Sequence, residues 1–248
     1  MPVMRERLVF RPLSLFYYLL LLFLLLTLLP YIALFFRGVL VRGLGLPPEA
    51  VGGFLLTSLI GSLFNVPLTE MSSLAPIQTF REVSFFGVTW RFPRVEIGVR
   101  KTLVTLNVGG ALLPIAVSAY LLGWSIPRCS PNPAVTYVKT LVVLAVVTLV
   151  VHRSSRLIKG LGIATPAFVP PITVALATLF VHWVSPLSCP TQVAYVGGTL
   201  GTLIGADLLN MRKIAGLGAS MVSIGGAGTF DGIYTTGLIS VLLVLLLT

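Results

Sequence analysis

Long apolar runs are the feature that most limits what this chain can fold into. Hydrophobic residues make up 56% of its 248 residues and charged residues only 10%, which is too little charge for the surface of a soluble domain of this size. A helix needs about 20 apolar residues to cross a bilayer, and several stretches approach that length. They lie near residues 13–36, 50–68, 102–124, 134–151, 163–183, 192–209 and 230–248. The sequence therefore predicts an all-α polytopic membrane protein, a single transmembrane domain over residues 1–248 with about seven transmembrane helices.

The basic residues predict an orientation for these helices. With a cytoplasmic N-terminus, four of the seventeen Lys and Arg residues fall outside, at Arg37, Arg42, Arg128 and Lys139. The other thirteen fall inside: Arg5, Arg7, Arg11, Arg81, Arg91, Arg94, Arg100, Lys101, Arg153, Arg156, Lys159, Arg212 and Lys213. This bias follows the positive-inside rule and predicts a multi-pass plasma-membrane protein with N-terminus in and C-terminus out. The net charge of +10 thus reports topology, and we expect the lipid bilayer as partner and no nucleic acid.

The longest polar stretch, residues 69–101, is expected to form a cytoplasmic connector between the second and third helices. Apolar side chains alternate on both sides of Gly87, with Val83 and Phe85 before it and Trp90 and Phe92 after it. Such alternation indicates a short β-hairpin. Aromatic rings and arginines together are typical of a segment that rests at the lipid headgroups.

Small residues mark one face of the sixth apolar run. Gly197, Gly201 and Gly205 recur at every fourth position, which leaves a stripe without side chains where another helix can pack closely. Asp207 lies roughly 120° around the helix from this stripe. The stripe and the aspartate should therefore face different neighbours.

The two cysteines, Cys129 and Cys189, both fall in loops that the topology places outside. They are compatible with one disulfide between these loops and equally with two free thiols. Two cysteines and the two histidines, His152 and His182, give no recognisable zinc motif. The sequence predicts neither a metal site nor a cofactor.

The chain has only two aspartates, Asp207 and Asp231, and both fall in the apolar C-terminal region, residues 192–248. A charged residue in a spanning segment usually faces a polar interior and marks function. The sequence places the pair on consecutive antiparallel helices at matched depth, with Asp231 in the first turn of the last helix. The candidate substrate-binding residues around it are Gly225, Gly226, Gly228, Gly232, Tyr234 and Thr235. The glycines would let a substrate backbone approach, and Tyr234 and Thr235 share a helix face with Asp231.

Two carboxyl groups close together in a poorly solvated pocket share a proton, because both cannot ionise cheaply. Aspartic proteases use such a pair, in which one carboxylate activates water and the other, protonated, polarises the scissile carbonyl. Structural roles are the alternative. Asp207 would then end its helix beside Arg212 and Lys213, and Asp231 would serve as a helix N-cap.

The stretch VGGTLGTLIGADLLNMRKIAGLGASMVSIGGAGTFDGIYTTGLI resembles the prokaryotic domain-of-unknown-function 1614 family. The chain is more loosely similar to the Gly-x-Gly-Asp intramembrane aspartyl proteases, the presenilin, signal-peptide-peptidase and prepilin-peptidase group. That second resemblance implies one catalytic aspartate on each of two successive spanning helices. In this chain Thr229 and Phe230 separate Gly228 from Asp231, whereas the motif has no residues at that point.

Three functions are compatible with these residues. The first is an intramembrane aspartyl protease that hydrolyses transmembrane-helix substrates with Asp207 and Asp231 as catalytic residues. The second is a proton- or cation-coupled transporter or channel that uses the same carboxylates. The third is a non-catalytic membrane scaffold, in which the aspartates hold helices together. A homo-oligomer is compatible with each of them.

Overall fold

The computed structural model describes residues 15–86, 88–158, 162–211, 213, 220–228 and 231–248. This part of the chain contains eight α-helices and five strands. The helices are α1 (Leu15–Arg37), α2 (Pro48–Gly61), α3 (Leu113–Tyr120), α4 (Ile126–Cys129), α5 (Pro133–Ser154), α6 (Val169–Val184), α7 (Pro190–Thr202) and α8 (Gly232–Leu247). Four π-helical segments extend or join them: Gly38–Gly43, Val108–Leu112, Leu121–Ser125 and Leu203–Asp207.

A long β-hairpin interrupts the helices. Strands β1 (Asn65–Phe85) and β2 (Val88–Asn107) pair antiparallel along their whole length, and Phe85 pairs with Val88 across the turn. Near its base, β2 also pairs in parallel with the short strand β5 (Met221–Ile224). The hairpin is therefore much longer than the short one expected within residues 69–101. Its base is tied to the segment that leads to Asp231.

A second, small hairpin follows α5. It consists of β3 (Arg156–Ile158) and β4 (Gly162–Ala164), which pair antiparallel. The hydroxyl groups of Ser155 and Thr165 lie 2.8 Å apart and hydrogen-bond. This bond fixes the chain after β4 to the end of α5, so the start of α6 lies beside the end of α5.

The expectation of a seven-span, all-α protein is wrong. Within the described residues, two helices are long and apolar enough to cross a membrane, Val108–Cys129 and Pro133–Ser154. The helix pair Leu34–Gly43 and Pro48–Gly61, bent by 118°, makes a third candidate if it counts as one span. The apolar helical stretches Phe16–Leu28, Val169–Val184 and Gly232–Leu247 are shorter. The chain is thus a membrane protein with helices and a substantial β component.

Two physical causes account for this difference. The β-hairpin takes residues that the second and third expected spans contained, so that α2 ends at Gly61 and the next helix begins only at Val108. Helices α6 and α8 have 16 residues each, which gives a length of about 24 Å at 1.5 Å per residue. The hydrocarbon core is about 30 Å thick. Apolar composition alone did not distinguish strands and short helices from helices that span the membrane.

Helix α7 forms the centre of the helical region and packs against α5, α6 and α8. Its glycine stripe faces α5. An added Cβ would lie 2.7 Å from Val143 Cγ1 at Gly197, 2.8 Å from Val147 Cγ1 at Gly201 and 2.6 Å from the Thr148 carbonyl oxygen at Gly205. Side chains there would push the helices apart, since interiors are close-packed.

The structure joins Cys129 and Cys189 in a disulfide, with Cα atoms 6.1 Å apart. Cys129 ends α4, and Cys189 is the residue before α7. At the same end, Lys139 Nζ donates hydrogen bonds of 2.8 Å to the carbonyl oxygens of Ser185 and Pro186. These contacts tie the start of α5 to the loop between α6 and α7.

Candidate functional site

Asp207 and Asp231 both line one cavity of about 300 Å³. Its walls come from the end of α7, from the glycine-rich turn before α8 together with the start of α8, and from the segment that runs from β4 into the start of α6. The residues around the two aspartates are Ile163, Ala164, Thr165, Pro166, Ala167, Pro170, Thr202, Ala206, Ala227, Gly232, Ile233, Thr235 and Thr236. Pro166 and Ala167 are exposed, so this side forms the mouth of the cavity.

A π-helical turn positions Asp207. The turn Leu203–Asp207 continues α7 as a π-helical turn, which is wider than an α-helical one. Such π-turns occur frequently at functional sites. The Asn210 side-chain amide donates to the carbonyl oxygens of Ala206, at 2.9 Å, and Gly205, at 3.3 Å. His152 Nδ1 on α5 lies 3.2 Å from the same Gly205 oxygen. Asn210 and His152 thus stabilise the irregular turn that carries Asp207.

The helix-end role considered for Asp207 finds no support in the described contacts. Lys213 Nζ lies 3.2 Å from Asn210 Oδ1 and pairs with that amide. Arg212, the other expected neighbour, lies outside the described residues. Within the part of the chain that the structure describes, the Asp207 carboxyl has no hydrogen bond or ion pair. Its polar atoms are therefore available to the cavity.

Asp231 is the N-cap of α8. Its Oδ1 accepts the backbone N–H of Ile233 at 2.9 Å, and its Oδ2 accepts that of Ala227 at 3.4 Å. This is the structural role considered from the sequence, and it places Asp231 just before the helix rather than in its first turn. The same side chain also lines the cavity. Capping and access to the cavity are therefore compatible in this residue.

The two carboxyl groups differ electrostatically, and both lie outside the two long spans. Burial raises the pKa of the Asp207 carboxyl to about 7, and the negative charge of Asp231 adds to this effect. Burial also raises the pKa of Asp231, but the hydrogen bonds from Ile233 and Ala227 oppose that shift. Bonds from N–H groups stabilise a carboxylate. Asp231 is therefore the better stabilised anion, and Asp207 is the group that retains a proton near neutral pH.

Thr202, which was not among the predicted site residues, lies in the cavity wall. Its hydroxyl is buried and has no hydrogen-bond partner within the described residues, although buried polar groups are usually satisfied. The hydroxyl of Thr235, in contrast, donates to the Asp231 backbone carbonyl at 2.8 Å. Thr202 is thus a free polar group beside the two carboxyls. No sequence signal distinguishes it from the other threonines of α7.

Only some of the expected substrate-binding residues line the cavity. Gly232 and Thr235 do, whereas Gly225, Gly226, Gly228 and Tyr234 do not. The Tyr234 ring instead stacks on Phe54 of α2, with ring centroids 6.0 Å apart. Tyr234 therefore anchors α8 to α2 and does not line the cavity.

The glycine-rich turn before Asp231 has a structural reason. Gly225 and Gly228 have φ values of +71° and +63°, which residues with a Cβ rarely adopt. The turn also packs against the π-helical segment at Gly110, where an added Cβ would lie 2.7 Å from the Gly228 carbonyl oxygen. Ala227, within this turn, contributes to the cavity. These glycines thus allow the backbone to turn just before Asp231 and to pack closely against Gly110.

Among the described residues, no three His, Cys, Asp or Glu side chains come together in a way that could hold a metal ion. The groups that meet in the cavity are two carboxyls, threonine hydroxyls and backbone. Such a set can exchange protons, hydrogen-bond water and hold a polar group of a substrate.

The fold and the site define a membrane protein with two carboxyl groups that line one cavity at the end of its helical region. The chain belongs to the family described as protein of unknown function (DUF1614), whose model matches residues 59–243. No curated protein and no solved structure matches the chain. The comparisons give no support to the second resemblance, the one to Gly-x-Gly-Asp proteases.

Proposed function

We propose that this protein is an intramembrane hydrolase of the aspartic type, which cleaves peptide bonds of membrane-embedded substrates with Asp207 and Asp231. The observation that carries the proposal is that both carboxyl groups line the same cavity of about 300 Å³. This volume accommodates the lytic water together with a short stretch of polypeptide, because one water occupies about 30 Å³.

The two aspartates take different roles. Asp231, whose charged form the N–H groups of Ile233 and Ala227 stabilise, removes a proton from the attacking water. Protonated Asp207 donates a hydrogen bond to the scissile carbonyl oxygen and then gives its proton to the tetrahedral oxygen. The Thr202 hydroxyl donates a further hydrogen bond to that oxygen. Asp231 then gives the proton that it took from water to the amide nitrogen, and Asp207 takes back a proton from the tetrahedral hydroxyl as the C–N bond breaks. The products are a carboxylic acid and an amine, and both aspartates return to their starting protonation states.

The disulfide supports an orientation for the site. Cys129 precedes α5 and the cavity wall at Thr165 is bonded to Ser155, directly after α5. Disulfide and cavity therefore lie at opposite ends of a helix long enough to cross the membrane. Since disulfides form in oxidising compartments, the cavity would face the cytoplasm of a multi-pass plasma-membrane protein.

The basic residues are compatible with that orientation, with N-terminus in and C-terminus out. Arg153 and Arg156 lie at the cavity end of α5, which this topology places inside. Five residues of the inner set, Arg5, Arg7, Arg11, Lys159 and Arg212, lie outside the described residues.

A second candidate is a proton- or cation-coupled transporter. The unpartnered Thr202 hydroxyl beside two carboxyls is the observation that favours it, because hydroxyl and carboxylate oxygens are the ligands that hard cations prefer. In this function the pair would bind and release an ion while no covalent bond breaks. A scaffold, the third function, would require neither carboxyl to ionise.

One reconstitution experiment separates the three functions. The purified protein is placed in liposomes with a labelled reporter helix and a pH-sensitive dye, and cleavage and proton flux are followed together. The protease predicts cleavage that is lost in Asp207→Asn and in Asp231→Asn, whereas proton flux without cleavage would identify the transporter. An intact reporter and no flux with the wild-type protein, together with an unchanged assembly in the doubly substituted protein, would identify the scaffold.

Matched variants show that a loss is specific to the site. Glu49→Gln removes a carboxylate from the first turn of α2, away from the cavity, and should leave cleavage unchanged. Thr202→Val keeps the side-chain shape but removes the hydroxyl, and should slow cleavage while preserving the thermal unfolding midpoint.

A further inference from the structure

A second cavity adjoins the aspartate site at the end of α5. It has a volume of about 510 Å³, and its lining includes Arg153, Ser154, Arg156, Ile158 and Thr165. The Thr165 wall is shared with the aspartate cavity. No acidic residue lines this second cavity, so the two cavities have opposite electrostatic character.

Within the part of the chain that the structure describes, neither arginine has an ion-pair partner. Both are exposed. The ion pairs among the described residues all lie on the long β-hairpin, at Glu70, Glu82 and Glu96, and none involves Arg153 or Arg156. Planar guanidinium groups bind phosphate with parallel hydrogen bonds. The cavity therefore favours an anionic phosphate group.

The position of the cavity places this phosphate at the membrane surface. Arg153 is in the last turn of α5, and Arg156 follows two residues after the helix. Since α5 is one of the two helices that can cross a membrane, its end lies at the level of the headgroups. Exposed Ile158, in the same lining, adds an apolar contact that free phosphate would not use.

A separate apolar groove lies between α5 and α6 and shares no lining residue with this cavity. It has a volume of about 380 Å³ and is lined by Val142, Val146, Leu176, Ala177 and Phe180, together with Thr173 and Val181. Val142, Val146, Leu176 and Phe180 are exposed. This surface is shaped to hold a hydrocarbon chain.

The groove and Arg153 lie on the same face of α5. Arg153 is seven residues after Val146 and eleven after Val142, so all three lie within about 20° of one line along the helix. The distance from Val146 to Arg153 is about 10 Å along the axis. An acyl chain of a lipid can span that distance while its phosphate remains at the arginines.

We propose that this surface binds one anionic phospholipid, with its phosphate on Arg153 and Arg156 and one acyl chain in the groove between α5 and α6. Three features together favour a phospholipid over other ligands. They are the positive charge of the cavity, its place at the end of a span, and the groove that lies in line with Arg153. The site does not depend on the aspartate chemistry. Its shared wall at Thr165 places the lipid beside the mouth of the aspartate cavity.

Native mass spectrometry of the full-length protein in detergent tests this proposal. Phosphatidylglycerol is titrated against phosphatidylcholine of the same chain length. We expect phosphatidylglycerol to bind preferentially. The doubly substituted protein Arg153→Gln/Arg156→Gln should bind it about 30-fold more weakly, at about 1 kcal/mol for each arginine near a charged lipid.

The matched control Arg37→Gln/Arg42→Gln removes the same charge from exposed arginines outside this cavity and should leave binding unchanged. Equal loss in both proteins, or equal binding of the two lipids, would overturn the proposal. Thermal unfolding of each protein verifies its fold.

Two further arms identify the source of the phosphate. Ala177→Trp fills the groove and should weaken phosphatidylglycerol binding while leaving the arginines in place. Calorimetry with inorganic phosphate should show no binding at the lipid concentrations that saturate the protein. Tight binding of inorganic phosphate, together with no effect of Ala177→Trp, would assign the site to a free anion and contradict the lipid proposal.

Discussion

Asp207 and Asp231 line one cavity, yet only the Asp231 carboxylate accepts hydrogen bonds from backbone N–H groups among the described residues. This asymmetry gives the pair a defined order of ionisation. The anion is held at a helix N-terminus, where the helix dipole also favours negative charge. The proton resides on the carboxyl at the end of α7.

The N-cap role of Asp231 predicts a stability effect that is separate from catalysis. Asp231→Ala should lower the free energy of unfolding by about 1 kcal/mol, because the Ile233 N–H loses its acceptor. Asp231→Asn should retain most of this stability, since asparagine caps helices about as well, but it should abolish cleavage. Thermal unfolding in detergent measures the stability of both variants, and the reporter-helix assay measures their cleavage. Equal stability of the alanine and wild-type proteins would show that the cap contributes nothing.

The pKa of Asp207 predicts how stability depends on pH. The unfolded carboxyl loses its proton near its ordinary pKa of 3.8, whereas the folded one keeps it to about 7. The folded state therefore binds more protons between these values, and the free energy of unfolding falls as pH rises through this window. Asp207→Asn should flatten the profile of the unfolding midpoint from about pH 4 to about pH 8. A profile identical to that of the wild type would contradict the raised pKa.

The close approach of α7 to α5 predicts a repairable packing defect. Gly201→Ala should cost about 1 to 3 kcal/mol, because its Cβ would meet the Val147 side chain. Adding Val147→Ala should restore part of the loss by removing the methyl groups that clash. The control is Gly53→Ala in α2, where a Cβ would meet nothing within 4 Å. Denaturation measures the free energy of unfolding of the wild type, Gly201→Ala, Gly201→Ala/Val147→Ala and Gly53→Ala. A Gly201→Ala protein as stable as the Gly53→Ala control would contradict the close packing of α7 on α5.

The disulfide predicts the same loss of folding stability in the two single cysteine variants and in the double variant. Cys129 and Cys189 are 60 residues apart, and closure of a loop of that size stabilises the folded state by about 4 kcal/mol through chain entropy. Cys129→Ala, Cys189→Ala and the double substitution should each lose that amount. Peptide mapping without reductant should recover the two cysteines in one linked fragment. Two alkylated, unlinked cysteines in protein from intact cells would contradict this pairing.

The sequence singled out two residues that the structure places in one cavity, but it did not indicate the other residues that line that cavity. The scarcity of aspartates, together with the glycine-rich turn before Asp231, was enough to single out two residues that the structure brings to one cavity. Thr202 and Thr165 could not be found in this way. Their importance depends on tertiary contacts, such as the bond between Thr165 and Ser155, that no local pattern reports.

The fold differs from the predicted one because strands are not visible in an average of hydropathy. Strands β1 and β2 include apolar residues such as Leu103 and Leu106, which a hydropathy average counts toward a helix. The parallel pairing of Leu103 with Met221 joins segments more than one hundred residues apart, and pairing at such separation has no signature in local periodicity. The glycine stripe succeeded as a signal because its spacing and its partner surface both follow helical geometry.

The cleavage rate of a reporter helix in Asp207→Asn, Asp231→Asn and the double variant tests the central claim most directly. If the two carboxyls act as one catalytic pair, each single substitution should reduce the rate as far as the double one, because groups that act as a unit are not additive. Glu49→Gln should cleave at the wild-type rate. Wild-type cleavage in either single variant would contradict the account.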